Sequence, residues 1–360
     1  IAFNVADTVL TAHGLSGMLG WNETAVAVTA ALAAALLAIY GHDWLHRVFR
    51  WCFVLSLPLY TLLTLAIMWG KVPATHASAA GFSWVAFAAQ FATSASYNIT
   101  YAPAVSDYSR YLPLTTRPRA IISAVFVGAA SSAIWLIALG AWLATRLGAA
   151  DALMALHDAG NALHAGFGAV LAVVSVLALV ATMGLNAYSG MLTIVTALNS
   201  LFGTAPSARL RVVAIGALTA SWLALSLVLS VNSIALLFAV LTIMLYLLVP
   251  WTAVNLVDYF FVRRGRYAIT HLFMPNGIYG AWGARGLIAY SVGFVAMLPF
   301  GVLPELYMGP AARALGGVDV GWLVGLLVSA GAYLLLVRDF DPAHEARAIA
   351  ESEALLRGAR

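Results

Sequence analysis

Phe3 and Asp7 stand four residues apart in an apolar segment, Ile1 to Leu19. That spacing puts both on one helix face. A carboxylate at membrane depth faces a cavity or a partner, because lipid offers it none. An aromatic ring beside a hydrogen-bonding group suits a flat heterocyclic ligand: the ring stacks and the polar group reads its edge. The opposing reading is an Asp7 that is simply wet near a chain end. Thr182 and Asn186 repeat the four-residue spacing within ATMGLNAYSG, residues 181–190. A Thr hydroxyl and backbone carbonyls suit a sodium ion, and an Asn amide both donates and accepts. Helix packing through Gly184, Ser189 and Gly190 is the alternative. A third stretch, Phe82 to Thr100, carries Gln90, Thr93, Ser94, Ser96, Tyr97, Asn98 and Thr100, followed by Pro103, Asp107 and Arg110. So many small polar groups before a Pro predict a helix broken at Pro103, with Tyr97 and Asn98 lining a solute pathway. Interhelical hydrogen bonding would use the same residues. Asp107 and Arg110 could pair as a gate, cap the next segment or form a solvated turn, and Asp258 before Arg263 and Arg264 has the same ambiguity.

The elements that must position these residues are membrane spans. The chain is 63% hydrophobic and 9% charged, with mean hydropathy +0.93, whereas a soluble domain carries roughly a quarter charged residues. The apolar runs are long and do not alternate, which predicts an all-α polytopic membrane protein and not a barrel. About ten spans of about 20 residues run from Ile1 to Leu19, Thr24 to Tyr40, Trp51 to Trp69, Phe82 to Thr100, Ala120 to Ala144, Gly166 to Leu201, Val212 to Leu229, Ile234 to Val257, Leu287 to Leu306 and Trp322 to Val337. Residues 1–338 form the transmembrane domain, and 339–360 a charged, Ala-rich tail that reads as a short soluble helix. Arg47 and Arg50, Arg110, Arg117 and Arg119, Arg209 and Arg211, and Arg263, Arg264 and Arg266 fall in loops on one side. By the positive-inside rule that side, with the C-terminal tail, is cytoplasmic. The basic residues thus act as topology signals, and nucleic acid is not an expected partner. The single cysteine, Cys52, leaves no intrachain disulfide or cysteine cluster. The histidines show no metal-site spacing, and no Gly-rich phosphate loop with Lys suggests ATP-driven transport. Ile1 stands inside an apolar segment with no basic leader, so further chain is expected upstream and no cleavable signal peptide is read.

Residues 101–113, YAPAVSDYSRYLP, resemble the segment after the sixth helix of nucleobase:cation symporter family 1, in its bacterial cytosine/purine permease-like branch. Residues 250–259, PWTAVNLVDY, with Arg263-Arg264-Gly265, resemble the end of that family's tenth helix, and residues 277–280 and 285–290 are similar to later segments in the same order. The resemblance implies a leucine-transporter-type five-plus-five inverted repeat, with about ten of twelve helices present, the third in part through the twelfth. It implies a heterocycle site drawn from Phe3 and Asp7 (where the family usually has Trp and Gln), Tyr97 or Asn98, and Asn186. It places the cation site at Ala181 and Thr182, with Ala181 where a serine is often found, which leaves room for proton coupling. Pro103, Asp107 and Arg110 become gating or structural residues.

The expected function is secondary active import of a nucleobase or related heterocycle (cytosine, purine, allantoin- or hydantoin-like), coupled to Na+ or H+, through alternating access in a bacterial inner membrane. The partners are the small heterocycle, the coupling cation and the bilayer, with no cofactor beyond that ion and no enzyme activity. A membrane-embedded enzyme would need a catalytic pair, and the spans offer Asp7 alone. A passive channel or sensor is the other class, which gradient-driven accumulation would separate from a symporter.

Overall fold

A computed structural model describes residues 1–76, 81–109, 112–113, 115–148, 151–228, 234–274, 276–280, 282–303 and 306–358; side chains at 96, 100, 103–104, 106–108 and 234–238 are outside that description. The chain divides into two compact units, Ile1–Gly81 with Pro103–Ile234, and Phe82–Ala102 with Ala235–Arg360.

In the first unit, α1 (Ala2–Leu19), α2 (Glu23–Tyr40), α7 (Phe167–Phe202) and α8 (Ala208–Val228) enclose one core. Small residues make it tight. Ala30, Ala31, Ala34, Ala35 and Ala38 form the buried stripe of α2, and a Cβ added to Gly184 of α7 would come within 3.2 Å of the Ala34 carbonyl oxygen. Without a hydrophobic drive between helices in lipid, such close backbone approach supplies the dispersion contacts that hold them. Trp222 of α8 and Met183 and Met191 of α7 fill the remaining volume. Asn22 starts α2 by accepting from the Ala25 N–H at 2.9 Å.

A second cluster joins α3 (His42–Met68), α5 (Pro118–Leu147), α6 (Ala152–Leu163) and α7 through Leu63, Leu139, Leu143, Leu156 and Leu171. Polar pairs tie the same helices: Tyr60 to Ser175 at 2.7 Å, and Trp135 Nε1 donating to Thr64 at 3.0 Å. Residues 145–165 lie between two of the expected spans, Ala120 to Ala144 and Gly166 to Leu201. They hold α6, capped by Asp151 on the Met154 N–H at 2.8 Å, because a 12-residue amphipathic helix falls below the length of a span. The opposite surface of α5 is apolar and open: Ile122, Phe126, Val127 and Ile134 are all exposed, as a lipid-facing helix requires.

The second unit contains most of α4 (Trp84–Ser109), then α9 (Ile234–Val257), which ends in a π-helical turn, Asp258–Val262. α10 (Ala284–Met297), a two-residue hairpin β1 (Val302–Leu303) and β2 (Tyr307–Met308), α11 (Pro310–Ala314), α12 (Gly321–Leu336) and α13 (Ala343–Gly358) follow. α10 and α12 pack so closely that a Cβ on Gly293 would overlap Ser329, and one on Gly325 would overlap Met297.

Six helices among the described residues are long and apolar enough to cross a membrane. The remaining expected spans coincide with helices that are more polar or shorter: α1, α4, and α10 and α12 with 14 and 16 residues. The tail expected from its charge to be helical is α13. The break expected at Pro103 is absent, since α4 continues through it to Ser109. Proline removes one N–H from the ladder, a loss that membrane helices accommodate by local adjustment.

Candidate functional site

The polar centre of the first unit is built between α1 and α7. Asn4 Nδ2 donates to the Met183 carbonyl at 3.1 Å, and Asn186 Nδ2 donates to Asn4 Oδ1 at 2.9 Å. Thr8 donates to the Asn4 carbonyl at 2.6 Å and approaches Met183 Sδ at 3.2 Å. Asn4 is 1% exposed and Thr8 fully buried, so this amide pair lies in the interior, where each satisfied bond counts for more than at a surface. The 36 residues of α7 extend about 54 Å at about 1.5 Å each. Met183 and Asn186 are the seventeenth and twentieth of them, near the helix centre.

Phe3 and Asp7 flank Asn4 on α1, and both are half-buried. The shared face expected from their spacing is present, because α1 is helical across both. Asp7 has no hydrogen-bond or ion-pair partner among the described residues. Thr182, also half-buried, donates its hydroxyl to the Ala178 carbonyl at 3.0 Å, which leaves its oxygen lone pairs free to meet a cation. Ala181 beside it is fully buried and offers only its backbone carbonyl.

Tyr97 and Asn98 lie in the second unit on α4. Tyr97 is 44% exposed and stacks on Tyr101, rings 6.0 Å apart and 6° from parallel. Asn98 is exposed and donates back to the Ser94 carbonyl at 2.8 Å, while Thr93 donates to the Ala89 carbonyl at 3.0 Å. Thr93 and Asn98 thus bond within their own helix. Pro103 and Asp107 lie within α4 with side chains outside the described set, and Arg110 lies outside the described residues.

A second polar cluster closes the end of α9. Arg263 donates to Glu345 of α13 from Nη2 at 3.0 Å and from Nε at 3.1 Å, and pairs with Asp258 through Nη1. Asp258 also accepts from Tyr333 at 2.6 Å and Tyr267 at 2.7 Å. Burial pulls the guanidinium pKa down, but the Glu345 hydrogen bonds and the two carboxylate charges outweigh it and hold Arg263 above its ordinary value. Burial, then the hydrogen bond to Asp258, lifts the Tyr267 phenol. At the other end of α12, buried Asp319 accepts from Tyr246 at 2.5 Å and from the Gly321 N–H at 2.9 Å. Burial raises its pKa, and the bonds from Tyr246, Gly321 and Val302 oppose the rise.

Asn4 was missed in the sequence because an Asn four residues from the start of an apolar run carries no chemical signature alone. The usable signal was the stripe Asn4, Thr8, Thr11 at helical spacing, all fully or nearly fully buried.

YxlA of Bacillus subtilis (strain 168), which carries the name of a purine-cytosine permease, is 29% identical over 341 residues, 94% of this chain and 73% of that protein. The solved inward-facing conformation of Mhp1 superposes with TM-score 0.68 at 16% identity, over 98% of this chain and 75% of that one, which establishes a shared all-α transporter fold of the leucine-transporter type. Residues 5–325 match the family described as permeases for cytosine/purines, uracil, thiamine and allantoin. The chain, a multi-pass integral membrane protein, therefore belongs to this cytosine/purine permease family of nucleobase:cation symporters.

Proposed function

We propose that this protein imports a nucleobase or closely related heterocycle by symport with Na+ or H+, in a bacterial inner membrane with the C-terminal tail in the cytoplasm. The observation that carries the reading is a half-buried carboxylate, Asp7, unpartnered among the described residues, beside an interior amide pair that joins α1 to the centre of α7, in a chain whose family is that of base permeases. A polar centre within membrane helices is costly and is kept where a solute must be held. Phe3 supplies the ring on which a flat solute stacks, and Asp7 and Asn186 supply the groups that read its edge. The Thr182 hydroxyl oxygen and the Ala181 carbonyl are the candidate cation ligands on the same helix. Coupling requires the cation to favour one conformation over another, so that solute and ion together shift the population between inward- and outward-open forms. The Arg-rich loops, including Arg209 with Arg211 and Arg263 with Arg264, support the orientation.

The test is uptake of labelled cytosine, uracil, adenine, hypoxanthine, guanine, allantoin and hydantoin by cells carrying the full-length protein, with and without sodium and proton gradients. Saturable accumulation of at least one compound, abolished when the driving gradient is collapsed, is expected. Equilibration without accumulation would instead assign a channel.

A further inference from the structure

Asn4 decides which way Asn186 faces. The Met183 carbonyl can only accept a hydrogen bond, so Asn4 must turn Nδ2 to it and present Oδ1 to Asn186. Asn4 Oδ1 can also only accept, so Asn186 must turn its own Nδ2 inward, and its Oδ1 is directed away from the pair. The polarity of a peptide carbonyl in the middle of α7 is thereby relayed through one buried amide to a second, half-buried one. Asn4 is 1% exposed, so water offers its amide no alternative partner. Asp7, three residues along α1, occupies the neighbouring position on the helix surface. Neither Asn186 Oδ1 nor the Asp7 carboxylate has a hydrogen-bond partner among the described residues. Both are acceptors when Asp7 is ionised.

We propose that Asn4 is a positioning residue that sets the acceptor polarity of the solute site, and that the site selects a heterocycle with a donor edge, a ring N–H beside an exocyclic amino group, over one with a carbonyl there. The proposal rests on the nucleobase-transport reading and names the substrate class within it. Guanine has such an edge, hypoxanthine lacks only the amino group, and xanthine carries a carbonyl in its place. A carbonyl facing a carboxylate leaves two buried acceptors unpaired, and sites built on hydrogen bonds discriminate most strongly against that mismatch.

The experiment is competition by guanine, hypoxanthine and xanthine against whichever labelled base the full-length protein accumulates. Guanine is expected to compete at about tenfold lower concentration than hypoxanthine, with xanthine weaker again. Asn4→Leu frees the Asn186 amide to rotate and should narrow the guanine-to-xanthine ratio about tenfold, a change in rank that general loss of packing does not produce. Asp7→Asn, which supplies a donor, should narrow it too, and carries the test if Asn4→Leu does not fold. A xanthine equal to or better than guanine in the unaltered protein, a ratio unchanged in either folded variant, or uptake of another base indifferent to all three purines would overturn the proposal while leaving nucleobase transport standing. If no base is accumulated at all, the transport reading itself falls.

Discussion

Replacing Arg263 with methionine tests how the C-terminal helix is held. Arg263, Asp258 and Glu345 have side chains only 17%, 15% and 13% exposed. Loss of the guanidinium falls unequally on the two acids. Asp258 keeps hydroxyl donors from Tyr333 and Tyr267, whereas Glu345 loses every hydrogen-bond donor found for it among the described residues. Orphaning one member of a buried ion pair costs about 3–5 kcal/mol. The residual exposure of Glu345 places Arg263→Met at about 3 kcal/mol on that scale. For a cooperative unit of this size, that is a drop of roughly 6–12 °C in Tm. The cations-on-ring contacts of Arg263 with Tyr267, Tyr279 and Phe340, at 5.8, 5.3 and 4.9 Å, add about 0.5–1 kcal/mol each at most. The informative comparison is the double variant Arg263→Met with Glu345→Met. If the penalty is mainly the orphaned carboxylate, removing it should recover about 2 kcal/mol. The assay is thermal unfolding of the full-length protein in detergent, followed by intrinsic fluorescence. A double variant no more stable than Arg263→Met alone would refute the assignment of the cost to Glu345.

Further outcomes follow from the packing and the titrating groups. Gly184→Leu drives a side chain against the Ala34 carbonyl and the Leu37 and Leu45 side chains; it should cost about 1–3 kcal/mol and, by shifting α7 against α2, weaken solute binding, both measurable as a lower Tm and a smaller ligand-induced Tm rise. Asp319 has a folded-state pKa raised by burial, so its contribution to stability is complete below the unfolded value of about 3.9 and is lost as pH rises through the folded value. Tm should therefore fall over that interval in the unaltered protein and fall less steeply in Asp319→Asn; parallel profiles would show that another group titrates.

The sequence determined that this is a helical membrane protein, because a chain with 9% charged residues in long apolar runs that do not alternate satisfies its backbone in lipid by helices and not by a barrel. It also determined the family, since motifs such as residues 101–113 and 250–265 keep their order whatever the packing, and it supplied Asp7 and Asn186 as candidates because polar residues in apolar runs stand out. Pro103 shows the limit of local rules: proline marks a lost hydrogen bond, but whether the helix stops depends on what surrounds it, and α4 goes on to Ser109. Asp258 shows the same limit, ambiguous by spacing and resolved by Arg263 and Tyr267 from the stretch that follows it and Tyr333 from α12. The polar stripe could point to Asn4, but only the tertiary structure could assign its role, which comes from a carbonyl 179 positions away. Hydrogen-bond polarity at a site is a property of the pair and not of the residue: an amide reads as donor or acceptor according to what its other end must satisfy, and that partner is chosen by the packing of α1 on α7.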